Sequence, residues 1–108
     1  MAEMIEINDE TFASEILQSE IPAAVLFKTA GCSHCKKMLP IVEELAGDYA
    51  GRVKFAVLDV GEGRKQAIEC GILFVPQIIF FKEGKEAGSL RGEAPKADVA
   101  KQVDALLA

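Results

Sequence analysis

Cys32 and Cys35 bracket Ser33 and His34 at the point where an apolar, strand-like run gives way to a helix-like one. The pair has chemical meaning only if a strand delivers it to the first turn of that helix, so the junction dictates the local architecture. A thiol in that turn faces backbone N–H groups with no intrahelical partner and the positive end of the helix dipole. Both favour thiolate over thiol. Thiolate is the form that attacks disulfides. Two sulfurs at this spacing also form a reversible disulfide with each other, so the motif points to thiol–disulfide exchange.

The rest of the chain supplies a sheet for this junction. Met4–Ile7 alternates weakly and reads as a first strand. Asn8 or Asp9 caps a helix running to about Gln18, with Phe12, Ile16 and Leu17 on its buried face. Ala23–Thr29 and Val53–Val60 are nearly continuous apolar runs, the pattern of strands covered on both faces. Between them a helix runs from near Cys32 to about Tyr49. Met38, Ile41, Val42, Leu45 and Tyr49 recur there at helical spacing, and Pro40 removes one backbone donor and kinks the helix. Strand, helix and strand form a βαβ unit with a right-handed crossover and a parallel pair. Arg64–Cys70 reads as a short helix closed by Gly71. Gln77–Lys82 and Glu86–Arg91 read as a hairpin turning at Glu83-Gly84-Lys85, and Ala97–Leu107 as a last helix with Val99, Val103, Leu106 and Leu107 as its apolar stripe. The predicted fold class is α/β, a central mixed five-stranded sheet flanked by four helices. The dithiol then lies at a strand end, where chemistry gathers in open α/β sheets.

A chain of 108 residues is long enough for one core and too short for two, so a single domain over 1–108 is expected. The net charge of −5 disfavours nucleic acid, whose phosphates call for clustered Lys and Arg. Met1 to Glu10 is acidic and lacks the apolar core of a signal peptide. The apolar stretches Ile21–Phe27 and Ile72–Phe81 are too short to span a bilayer. A cytoplasmic monomer with no membrane partner is the expectation. Three cysteines do not make a disulfide framework; they fit a redox pair plus one bystander, Cys70.

Several segments together carry a resemblance. They are Thr29-Ala30-Gly31-Cys32-Ser33-His34-Cys35-Lys36, Pro40, Leu58-Asp59-Val60, Val75-Pro76, Phe80-Phe81-Lys82-Glu83-Gly84-Lys85 and Gly92. In this order they are similar to the active-site segment, helix kink, third strand end, cis-proline step, hairpin and site glycine of the thioredoxin family, over nearly the whole chain. The departures are informative. The family's Trp before the first cysteine is Gly31 here, and its second aromatic is Lys28. Ser-His replaces the usual Gly-Pro, with a His before the second cysteine as in protein disulfide isomerases and bacterial disulfide-forming oxidases. Leu26 and Val57 stand where thioredoxins bury an Asp and a Lys.

The resemblance implies a thioredoxin fold and a disulfide reductase or isomerase acting on protein clients, with the Cys32–Cys35 disulfide as its redox centre and no other cofactor. Cys32 is the attacking and Cys35 the resolving thiol. His34 and Lys36, with Lys37, Lys28 and Arg91, form a basic ring that lowers the Cys32 pKa. That makes the disulfide more oxidising than that of ordinary thioredoxin, roughly −240 to −180 mV. Gly31, Ser33, Val75, Pro76 and Gly92 bind the client, with the Val75 backbone pairing as an added strand. Without the family's buried Asp, mixed disulfides are expected to release slowly. Lys28, Arg91, Gly31 and Glu93 at the docking face point to acidic clients. Thioredoxin reductase or glutathione is the implied electron donor. Three other readings stand beside this one: a glutathione-dependent, glutaredoxin-like reductase, supported by Gln77; a metal or iron–sulfur module counting Cys32, His34, Cys35 and Cys70 as ligands, although the family's cis-proline keeps metals off the dithiol; and a non-redox adaptor.

Overall fold

A computed structural model describes residues 4–108; the first three positions of the expected domain lie outside the described residues. Five strands, β1 (Met4–Ile7), β2 (Ala23–Lys28), β3 (Lys54–Asp59), β4 (Gln77–Lys82) and β5 (Lys85–Arg91), form one sheet in the order β1-β3-β2-β4-β5. β3 pairs parallel to both β1 and β2, while β4 runs antiparallel to β2 and β5 antiparallel to β4. The apolar runs are explained by position. β2 lies at the centre, and the alternate residues of a strand face opposite layers. Ala24 and Leu26 pack with Met38, Val42, Leu45, Val99 and Val103 on one face, whereas Ala23, Val25 and Phe27 pack with Phe12, Ile16 and Ala67 on the other.

The helices that supply these layers are α1 (Ser33–Asp48), α2 (Arg64–Glu69) and α3 (Lys96–Leu107), together with a single π-type turn at Ala13–Leu17. α1 continues through Pro40. α1 and α3 share a layer and are tied at their surface: the Tyr49 hydroxyl donates to Asp104 at 2.6 Å, and the Lys96 ammonium reaches Glu44 at 3.1 Å and Asp48 at 3.2 Å. Among the described residues no helix is long and apolar enough to cross a membrane.

The segment expected as a helix from Asn8 to Gln18 is shorter and wound differently. Asn8 Oδ1 accepts the N–H groups of Glu10 and Thr11 at 2.9 and 3.1 Å, which turns the chain before the helical residues begin. Asp9, the alternative cap, serves another helix: its carboxylate accepts the N–H groups of Lys65 and Gln66 in the first turn of α2, at 3.2 and 2.9 Å. Phe12 and Ile16 are buried as expected, but Leu17 and Leu107 remain exposed at the edges of their stripes.

The β4–β5 connection is a two-residue loop. Glu83 and Gly84 both take positive φ, 56° and 77°, the pairing whose twist matches that of a hairpin. A Cβ on Gly84 would lie 2.7 Å from the Leu17 carbonyl oxygen, so this corner also closes against the π-type turn. Replacing Gly84 by Ala is expected to cost about 2 kcal/mol in urea unfolding, from backbone strain and overlap together. Gly47→Ala, at a helical position where a Cβ would meet nothing within 4 Å, is expected to stabilise by about 0.5–1 kcal/mol.

Candidate active site

β2 ends at Lys28, and a short turn carries the chain into α1. The Cys32 N–H donates to the Thr29 carbonyl at 3.4 Å. Gly31 takes φ 79°, a left-handed conformation that side chains rarely adopt, although a Cβ there would meet nothing within 4 Å. Backbone shape, and not lack of room, therefore accounts for glycine at this position. Cys32 is the N-cap of α1, and its sulfur accepts the Cys35 N–H at 3.1 Å. The two sulfurs are bonded to each other, with their Cα atoms 5.2 Å apart. Cys35 is buried, Cys32 is partly exposed, and Ser33, His34 and Lys36 face solvent. The outer sulfur is thus the one open to attack, and it already has a backbone donor aimed at it.

The charges around the dithiol are more compensated than the sequence implied. His34 Nδ1 contacts the Glu93 carboxylate, in the loop after β5. That hydrogen bond, with smaller contributions from the Lys37 and His34 charges, holds the Glu93 carboxyl below its usual range despite partial desolvation. Lys28 contacts Asp59 at 3.3 Å across the β2–β3 register. The Asp59 carboxylate also accepts the Gly61 N–H at 2.8 Å. Of the expected basic ring, His34 and Lys28 therefore each carry a carboxylate partner. Leu26 and Val57 face each other in register and are both buried. Lys28 and Asp59 follow them two residues further along the same strands, so an apolar pair inside the core is succeeded by an ion pair at its rim.

The Val75–Pro76 peptide is cis. The Pro76 carbonyl accepts the Gly92 N–H at 2.7 Å, and Gln77 lies in register between Phe27 and Arg91. These contacts bring Val75, Pro76 and Gly92 to the end of the sheet from which the β2–α1 junction emerges. The N–H and C=O groups of Phe74 and Val75 have no backbone hydrogen-bond partner among the described residues. Ahead of them, Leu73 and Phe74 are 78% and 64% exposed. The sequence reading missed these two residues. The signal was present: the apolar run Ile72–Phe81 straddles Pro76, and a strand starting at Gln77 leaves the residues before the proline without a ladder to cover them.

Gln77 is buried between neighbouring strands. Among the described residues no group of three or more His, Cys, Asp or Glu side chains stands where it would hold a metal, so Cys32, His34, Cys35 and Cys70 are not assembled as ligands. Cys70 packs against the core layer of α2. Burial first, then the Glu86 and Glu69 carboxylates, push its thiol up to about 11, so it stays protonated near neutral pH and is a poor nucleophile.

Residues 3–105 match the family model for thioredoxin. The chain is 33% identical over 103 residues to thioredoxin C-2 of Corynebacterium nephridii, covering 95% of each chain. It is 39% identical over 99 residues to thioredoxin 2 of Chlorobaculum tepidum, covering 92% of this chain and 91% of that one. It is 36% identical over 106 residues to a chloroplastic M-type thioredoxin of Chlamydomonas reinhardtii, covering 98% of this chain and 76% of that one.

The raised Cys70 value has a direct readout. With Cys32 and Cys35 oxidised, only Cys70 can be alkylated. Raising the pKa of a thiol lowers its thiolate fraction at any pH below that value. Its alkylation at pH 8 is therefore expected about a hundredfold slower than in the unfolded chain, climbing about tenfold per pH unit toward pH 11.

Proposed function

The chain belongs to the thioredoxin family and is a thiol–disulfide oxidoreductase; on that premise we propose that it reduces or isomerises disulfides of client proteins through Cys32 and Cys35, at a potential above that of ordinary thioredoxin. The observation that carries this reading is the position of Cys32, a partly exposed sulfur capping α1 with the Cys35 N–H at 3.1 Å. In the reduced protein the same geometry aims a backbone donor and the helix dipole at the Cys32 thiolate.

The reaction balances in two exchanges. Cys32 thiolate attacks one sulfur of a client disulfide; a Cys32–client bond forms, the client S–S bond breaks, and the other client sulfur leaves as thiolate. Cys35, as thiolate, then attacks Cys32. The Cys32–Cys35 bond forms, the mixed disulfide breaks, and the second client sulfur leaves. Two electrons pass to the client, and the protein is left oxidised until a dithiol or a reductase restores it. Thioredoxin reductase is the donor the family implies, with glutathione as the alternative. No other cofactor enters these steps. Gly31, Ser33, Pro76 and Gly92 border the exchange, and Val75 offers its unpaired backbone to an extended client.

His34 and Lys36 raise the potential by stabilising the thiolate, while Glu93 offsets part of the His34 field. On this reading the potential is expected toward the lower half of roughly −240 to −180 mV. In a cytoplasm poised between about −220 and −320 mV such a dithiol is mostly reduced, which favours reduction or isomerisation over net oxidation. A monomer suffices for this chemistry. The apolar Leu26 and Val57 provide no carboxylate to take the Cys35 proton, so the second exchange is slow.

Titration against glutathione tests the electrostatic part. His34→Ala leaves the Glu93 carboxylate uncompensated and is expected to lower the potential by about 30 mV. Glu93→Gln removes a negative charge and is expected to raise it. A wild-type value at or below that of thioredoxin removes His34 from the account. Stopped-flow reduction of a protein disulfide is expected to show a mixed disulfide that persists through several half-lives of the first exchange; clearance as fast as in thioredoxin would overturn the role given to Leu26 and Val57.

A further inference from the structure

We propose that Asp9 is a positioning residue for exchange with protein clients: acting through α2, it fixes where the Val75 backbone stands when a client strand pairs with it. The inference rests on the redox reading above and adds to it a residue remote from the dithiol. α2 has only six residues, too few to hold a helix in water unaided. Its packing is thin, since of its own side chains only Ala67 is buried. The usual local remedy is a Ser, Thr, Asp or Asn at the N-cap, accepting the N–H of the second or third helical residue. That position is closed to any side chain here. It is Gly63, and a Cβ on it would lie 2.5 Å from Cδ2 of the fully buried Leu58. The acceptor comes from elsewhere. The two Asp9 carboxylate oxygens take the N–H groups of Lys65 and Gln66, the second and third residues of α2, at 3.2 and 2.9 Å.

The far end of α2 runs directly into the segment that meets the client. Gly71, at φ 71°, ends the helix, and the Ile72 N–H returns to the Ala67 carbonyl at 2.9 Å. Val75 follows shortly after; its N–H and C=O, like those of Phe74, have no backbone partner among the described residues. The cis step then hands the chain to β4, where the Pro76 carbonyl accepts the Gly92 N–H at 2.7 Å. Val75 is therefore held downstream by the sheet and upstream by α2. When α2 loses its cap, the upstream hold weakens, and a client must order the segment as it binds, at a cost in affinity. The sulfurs are held differently. Cys32 takes its donor from Cys35 within α1, in the layer across the sheet from α2. Asp9 thus acts on the pairing of client backbone and not on the thiolate.

Single-turnover kinetics of the pre-reduced protein test this with two substrates. One is a linear peptide whose central cysteine is disulfide-bonded to cysteamine; the other is a small aromatic disulfide that has no backbone to pair. Asp9→Ala is expected to lower the second-order rate with the peptide about fivefold, as a rise in the half-saturating peptide concentration with the limiting rate unchanged. Its rate with the aromatic disulfide, and its reduced fraction in a glutathione buffer, are expected to match the wild type. Asp9→Asn keeps an acceptor of the same shape and should retain most of the peptide rate. Asp104→Ala removes a long-range carboxylate contact from the other layer, the bond to the Tyr49 hydroxyl, and should change neither rate. An unchanged peptide rate in Asp9→Ala overturns the proposal, as does an equal loss with both substrates or an equal loss in Asp104→Ala. Should Asp9→Ala fail to fold, Asp9→Glu replaces it, its longer arm displacing the same carboxylate, and the same outcomes decide. The wild-type reaction with the aromatic disulfide separates the two readings. If it proceeds while the peptide rates are flat across the variants, only the role of Asp9 fails; if it does not proceed, the redox reading fails and this one with it.

Discussion

Every distance that matters at the dithiol is measured from β2, which is paired along both edges and covered on both faces. A strand in that position cannot shift register without moving Ala24 and Leu26 from one core layer to the other, and such a slip exchanges every inward side chain. Its last residues are therefore fixed points. Phe27 sets the start of β4 through Gln77, Lys28 meets Asp59, and the turn beyond delivers Cys32 to the tip of α1. The two cysteines come from one side of this reference and Val75-Pro76 from the other. The site is thus the meeting of two segments anchored to the same rigid strand, the arrangement in which small positional errors are least tolerated by chemistry.

Electrostatics are layered around that frame. Backbone donors and the α1 dipole act on the Cys32 sulfur directly, at contact distance and partly shielded from solvent, so salt screens them weakly. The side-chain charges are more remote and come in pairs. An exposed pair such as His34 with Glu93 contributes little to stability, but it sets a carboxylate against the His34 ring beside the dithiol. The Lys28–Asp59 pair does the same at the strand ends, where complete burial would have been costly. The inner positions of those strands are left to Leu26 and Val57, which need no partner.

Much of this was legible in the residues. The bounds Gln77–Lys82 were read correctly because punctuation stands on both sides, a proline before and Glu83-Gly84 after. β2 and β3 were legible as uninterrupted apolar runs, and α1 as a long stripe beginning at a cysteine. Cys32 and Cys35 followed from local spacing, and the Val75-Pro76 step from the family resemblance. What was not legible depends on contacts between distant residues. His34 and Glu93 are 59 positions apart, and nothing in either neighbourhood marks the other. The π-type turn escaped because five residues are too few for a period to distinguish its winding from an ordinary helix. Leu73 and Phe74 were absorbed into an apolar run whose two halves have opposite fates, one buried in β4 and one left in water.

Asp9 bears on more than the helix it caps. Its carboxylate holds the opening turn of α2 from 57 residues upstream, and α2 leads through Gly71 into the stretch that ends at Val75-Pro76. The N-terminal strand region and the loop before Pro76 are in this way moored to one another on the face of the sheet away from α1. Losing the Asp9 carboxylate would unfasten a guy-line to the stretch before Pro76, a tether separate from the backbone contact that holds the Cys32 sulfur at the tip of α1.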